Sequence, residues 1–90
     1  MGITYALYFT PQAQKDSVAI ARAGLKKKTQ RLLAIIQKDP YQFPPRYELL
    51  KGDLKSAVSR RINLQHRLVY QVFEAEQVIK ILRMWTHYGD

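Results

Sequence analysis

From Ala57 onward the chain consists of three runs in which apolar side chains recur at alternate positions: "AVSRRIN", "RLVYQVF" and "QVIKILRMWTHY". A period of two belongs to a strand with one buried face, and a helix cannot bring such a pattern onto a single core. The separators, Asn63-Leu64-Gln65 and Glu74-Ala75-Glu76, are far too short to cross between parallel strands. An antiparallel meander is therefore expected for this half of the chain.

The other half must cover one face of that sheet. "ITYALYF" sets Ile3, Tyr5, Leu7 and Phe9 against Thr4, Ala6 and Tyr8, which predicts a first strand. Thr10 followed by Pro11 has the form of an N-cap with proline at the first helical position, opening a helix to about Ala23, and Gly24 is placed to end it. From Leu25 to Lys38, Leu25, Thr29, Leu32 and Ile36 recur at helical spacing, Leu33 and Ile35 widen the stripe, and Lys26 to Lys28 form a solvated face. Asp39-Pro40 stops this second helix. The segment "YQFPPRYELLKGDL" is expected to be an extended connection with at most a short strand near Tyr47 to Leu50. The outline is α+β: an N-terminal strand, a two-helix hairpin and a twisted antiparallel sheet, in one domain spanning residues 1–90.

Ninety residues support one core. Lys and Arg number 15 against 7 Asp and Glu, a formal charge of +8, which favours polyanions and makes nucleic acid the first partner to consider. There is no cysteine, hence no disulfide and no thiolate metal site. No apolar run approaches the roughly 20 residues of a membrane span and no leader pattern opens the chain, so a cytoplasmic protein without membrane contact is expected. Two histidines that lack ligand spacing predict no metal, and the absence of a Gly-rich phosphate loop or a Ser/His/Asp set predicts no cofactor.

The cations are placed unusually. A three-residue turn at 63–65 opposes Arg61 to Arg67, whereas a two-residue turn at 64 and 65 opposes Ile62 to Arg67. The first puts Ile62, Leu68, Tyr70 and Val72 together on the core side and is preferred. Like charges opposed across strands repel, so negative charge from outside the chain is expected to meet them. Alternation in the last run adds Arg83, Trp85 and His87 to the same face: phosphate donors around a ring on which a base can stack. Glu48 and Lys51, just before the meander, reach the same region. Arg60 falls on the core side by parity and reads as structural, as does His66 at the turn.

Metal-free RNA cleavage needs a base for the 2′-hydroxyl, cations for the phosphorane, and an acid for the departing 5′-oxygen. Glu48, the arginines with Lys51, and His87 supply those groups. DNA, without the 2′-hydroxyl, would resist.

"LLKGDLKSAVSRRINLQHRLVYQV", followed by "THY", resembles the Txe/YoeB group of RelE-like bacterial toxins in its LKG, SRRI, HRLVY and terminal His-Tyr motifs. The resemblance is close over residues 48 to 88. It implies the RelE-like microbial RNase topology and an endoribonuclease that cuts mRNA in the ribosomal A site, leaving a 2′,3′-cyclic phosphate. It also implies a cognate antitoxin that neutralises the toxin, operator DNA bound only through the toxin–antitoxin complex, and a possible homodimer. By motif, the base falls on Glu48, the phosphate-binding cations on Lys51, Arg61 and Arg67, and the acid on His87 with Tyr88 beside it. The pattern departs at Leu49, where proline is usual, at Trp85, where arginine is usual and Arg83 is the substitute, and in the Gly89-Asp90 extension. Two other readings remain: a non-catalytic basic module with Trp85 as its stacking surface, and a gyrase-poisoning relative, against which the Glu/Arg/His set argues.

Overall fold

The computed structural model describes residues 4–50 and 57–85. The elements run β1 (Ala6–Phe9), α1 (Pro11–Arg22), α2 (Lys26–Lys38), β2 (Tyr47–Leu49), β3 (Ala57–Arg61), β4 (Arg67–Phe73) and β5 (Val78–Arg83). The five strands form one sheet in the order β1-β5-β4-β3-β2. The α+β class and the antiparallel meander are as the periodicities predict. Strand β1, shorter than its alternating run, pairs in parallel with β5, Ala6 opposite Val78 and Phe9 opposite Ile81, so the first and last strands of the chain are neighbours.

Local chemistry sets the helix limits. Thr10 is extended, and its Oγ1 accepts the N–H of Ala13 at 3.0 Å while donating to the Leu82 carbonyl at 3.1 Å. One hydroxyl thus caps α1 and ties its start to the end of β5. At the other end, the N–H of Leu25 donates to Ile20 O and that of Gly24 to Ala21 O, the paired bonds of a Schellman motif. Gly24 carries φ +76°, and a Cβ there would meet nothing within 4 Å, so glycine is favoured by conformation alone.

The helices cover one face of the sheet. Ala13 and Ile20 of α1 and Leu32 and Ile36 of α2 pack against Val58, Ile62, Leu68, Tyr70, Ile79 and Ile81. Burying each large aliphatic chain contributes about 1.5–3 kcal/mol. The residues between them in β3, Ser59 and Arg61, alternate to the opposite face, and with them go Glu48 of β2 and Arg67 of β4.

Arg60 is the exception among the core-side residues, a fully buried cation. Its guanidinium donates to the carbonyls of Pro40, Gln42 and Pro45 and to the Tyr70 hydroxyl, and its Cζ lies 4.8 Å from the centroid of the Tyr47 ring. It secures the loop between α2 and β2. A buried charge is tolerable when its donors are matched in this way.

Candidate active site

The turn between β3 and β4 determines which side chains meet. Asn63 Oδ1 accepts the N–H groups of Gln65 at 2.8 Å and His66 at 2.7 Å, and Ile62 N–H donates to His66 O at 2.8 Å. An Asx turn of this kind needs the short polar side chain at its first position. The resulting register opposes Arg61 to Arg67, the pairing that places Ile62 and Leu68 in the core.

Glu48 is registered with Ser59 of β3 and reaches diagonally across that strand to β4. Arg67 Nη1 donates to Glu48 Oε1 at 2.9 Å and to Ser59 Oγ at 3.2 Å. The negative charge expected from outside is thus supplied in part by the chain itself. The side chains are 24% and 54% exposed respectively, so the pair is open to solvent and to exchange of partners.

Around this pair lies a cavity of about 260 Å³ lined by Arg46, Tyr47, Glu48, Ser59, Arg61 and Arg67. Three guanidiniums face one carboxylate, a surplus of positive charge suited to a phosphodiester. Arg46 is an addition to the residues that the sequence patterns single out. The sequence carries a signal for it, since it stands two residues before Glu48 and so shares its side of the chain as β2 begins.

A family model described as "YoeB-like toxin of bacterial type II toxin-antitoxin system" matches residues 9–88. The chain belongs to the YoeB-like toxin family. Toxin YoeB of Streptomyces coelicolor is 41% identical over 73 residues, 79% of this chain and 87% of that protein. Among solved structures, a YoeB/ParE toxin from Agrobacterium tumefaciens superposes with a TM-score of 0.84 at 29% identity, covering 92% of this chain and 99% of its own. A YoeB–YefM complex from Staphylococcus aureus gives 0.78 at 34% identity over 93% and 98%, and a YoeB dimer from the same organism gives 0.80 at 34% over 94% and 99%. This YoeB-like protein is a toxin of a type II toxin–antitoxin system.

Of the residues singled out from the sequence, Glu48, Arg61 and Arg67 come together in the cavity of this YoeB-like toxin. Arg83 and Trp85 are not among the described residues that line this cavity. The β4–β5 register slips after Tyr70, which faces Ile81, to Val69, which faces Arg83, leaving an extra residue in β5 that breaks simple alternation. Arg83 Nε donates instead to Asp16 Oδ2 of α1 at 2.9 Å, and the same oxygen accepts the N–H of Met84 at 2.9 Å. Burial alone would raise the Asp16 carboxyl; the Met84 N–H, Arg83 and Gln12 outweigh it and hold the group below its ordinary value. Trp85 stacks on His66, with centroids 3.9 Å apart at 14°, so one face of its indole is occupied within the fold. Lys51, His87 and Tyr88 lie outside the described residues. Among the described residues, no three His, Asp or Glu side chains gather as a metal site.

Proposed function

We propose that this toxin is a ribosome-dependent endoribonuclease that cleaves mRNA in the A site by metal-independent attack of a 2′-hydroxyl. The observation carrying this reading is the 2.9 Å Glu48–Arg67 pair in a cavity with Arg46 and Arg61 on its wall. A phosphodiester entering the cavity competes with Glu48 for Arg67. Once Arg67 turns to the phosphate, a carboxylate oxygen of Glu48 is released to take the 2′-hydroxyl proton. The 2′-oxygen then bonds to phosphorus, Arg61 and Arg67 stabilise the added negative charge, and the P–O5′ bond breaks. By the motif resemblance, Lys51 assists at the phosphate and His87, with Tyr88 beside it, protonates the 5′-oxygen. The products are a 2′,3′-cyclic phosphate and a free 5′-hydroxyl.

This activity places the working toxin at ribosomes in the cytoplasm, as a single domain over residues 1–90. A cognate antitoxin holds it inactive, as the complex of the Staphylococcus aureus relative with YefM suggests, and that relative's dimer supports a homodimer as a second assembly. Operator DNA is reached through the toxin–antitoxin complex.

The test is primer extension on ribosomes programmed with a defined message. A cut at one A-site phosphate with a cyclic end, abolished by Glu48→Gln and by a 2′-deoxy nucleotide at the scissile position, supports the reading. A phosphorothioate at that phosphate should slow cleavage without rescue by Mn²⁺; rescue would overturn the metal-independent mechanism. An uncut message with normal ribosome binding would make the chain a non-catalytic basic module.

A further inference from the structure

Ser59 stands in the middle of β3, a strand paired on both sides, with Glu48 of β2 and Val69 of β4 as its cross-strand partners. It lines the cationic cavity yet is only 2% exposed, so its hydroxyl lies deep in that space on a rigid element. No step of the cleavage set out above uses it.

Arg67 depends on this hydroxyl. Arg61 stands directly opposite Arg67 and the like charges repel, so the direction of the Arg67 guanidinium is set by what its Nη1 meets. That nitrogen donates to Glu48 Oε1 at 2.9 Å and to Ser59 Oγ at 3.2 Å, while Nε and Nη2 donate to nothing among the described residues. The two acceptors respond differently when a phosphate arrives. The Glu48 side chain is 54% exposed and competes with the phosphate for the same charge, whereas Ser59 is neutral, buried and already in place. A hydroxyl holds a guanidinium without neutralising it, so the positive charge stays available to the phosphorane, which a second carboxylate would quench.

We propose that Ser59 is a positioning residue whose buried hydroxyl is the pivot on which Arg67 turns from Glu48 to the scissile phosphate, keeping the guanidinium in the cavity once the carboxylate has let go. This role rests on the RNA-cleaving reading and adds to it the group that aims Arg67. Without the hydroxyl, Arg67 must be ordered by the phosphate itself, at a cost in affinity and a larger one in the chemical step, where alignment matters most.

A double-mutant cycle tests this. Wild type, Ser59→Ala, Arg67→Ala and the double variant are titrated against ribosomes programmed with a message carrying a 2′-deoxy nucleotide at the scissile position. Single-turnover cleavage of the all-ribose message is followed in parallel at saturating toxin. With Arg67 present, Ser59→Ala should weaken binding about two- to tenfold and slow cleavage on the order of 10- to 100-fold. In the Arg67→Ala background it should leave affinity unchanged, because the hydroxyl then has nothing to hold. Ser59→Cys, which fills almost the same space with a weak acceptor, should behave as Ser59→Ala and separates the lost acceptor from lost packing. A Ser59→Ala protein that binds and cuts as wild type, or one whose binding weakens equally with and without Arg67, overturns the role. Because the coupling is read on uncleavable RNA, a wild type that binds but never cuts overturns the nuclease reading alone, and the cycle still decides whether Ser59 acts through Arg67.

Discussion

The Nε of Arg60 donates to the Tyr70 hydroxyl at 2.9 Å, and that hydroxyl donates onward to the carbonyl of Pro40 at 2.6 Å. Both side chains are fully buried. The relay joins two central strands to the loop that leads into β2, so the orientation of Glu48 depends on a network on the opposite side of the sheet. Tyr70→Phe leaves an Arg60 N–H without its partner and should cost about 1–3 kcal/mol, measured by urea unfolding at pH 7.

The same relay has a pH signature. Burial pushes the Tyr70 hydroxyl up to about 12, partly offset by Arg60, against an ordinary value of 10.0. A raised folded-state value means the folded protein holds the proton more tightly, so the associated stability is complete below pH 10 and is lost as pH rises from 10 to 12. The magnitude is on the order of 2–3 kcal/mol. Unfolding midpoints of wild type should therefore fall more steeply than those of Tyr70→Phe across that window, and parallel curves would contradict it.

Asp16 makes the opposite prediction at the acid end. Its carboxylate is almost fully buried and held by Arg83, the Met84 N–H and Gln12, which depress it below 3.8 despite the opposing effect of burial. A depressed folded-state value gives stability that is present above pH 3.8 and lost as pH falls through the lower value. Asp16→Asn should cost about 2–4 kcal/mol near neutrality, because it removes the carboxylate charge that the partly buried Arg83 guanidinium meets on α1. The difference from wild type should shrink on acidification. Denaturant melts between pH 2.5 and pH 7 check both the size and the direction.

How far the sequence anticipates this arrangement depends on the physics behind each residue. The opposition of Arg61 and Arg67 is legible because one-residue slips would turn Ile62 and Leu68 out of the core, and only one register avoids that. Thr10, Pro11 and Gly24 are legible because capping is local. The end of β5 is not legible by alternation, because a bulge is an event between strands, and nothing in "KILRMW" announces it. The parallel partnership of β1 with β5 is likewise a matter of which edge the helices deliver the strand to, which no period reveals. The carboxylate that meets Arg67 comes from β2, whose three residues are too few to carry a readable period.

Glu48→Gln should separate function from stability. The Glu48–Arg67 pair is solvent-exposed, so its net contribution lies within about 1 kcal/mol, and the amide retains an oxygen that can accept from Arg67. The variant should melt within a few degrees of wild type and yet fail to arrest growth when expressed without antitoxin. A large drop in melting temperature would mean that Glu48 is principally structural.

Arg46 gives the most direct test of the cavity as a phosphate site, because it donates no hydrogen bond among the described residues and lines the same space as Arg61 and Arg67. If it meets a phosphate, Arg46→Ala removes one counterion-releasing contact. Binding to a short single-stranded RNA, followed by anisotropy between 50 and 200 mM salt, should then show a log–log slope shallower by about 0.7, with similar weakening for every sequence tried. Glu48→Gln should leave or strengthen binding at each salt concentration, since, among the described residues, it removes the one carboxylate on the cavity wall that competes with phosphate. An unchanged slope in Arg46→Ala would place the RNA backbone elsewhere on the protein and leave the cluster of guanidiniums without its expected ligand.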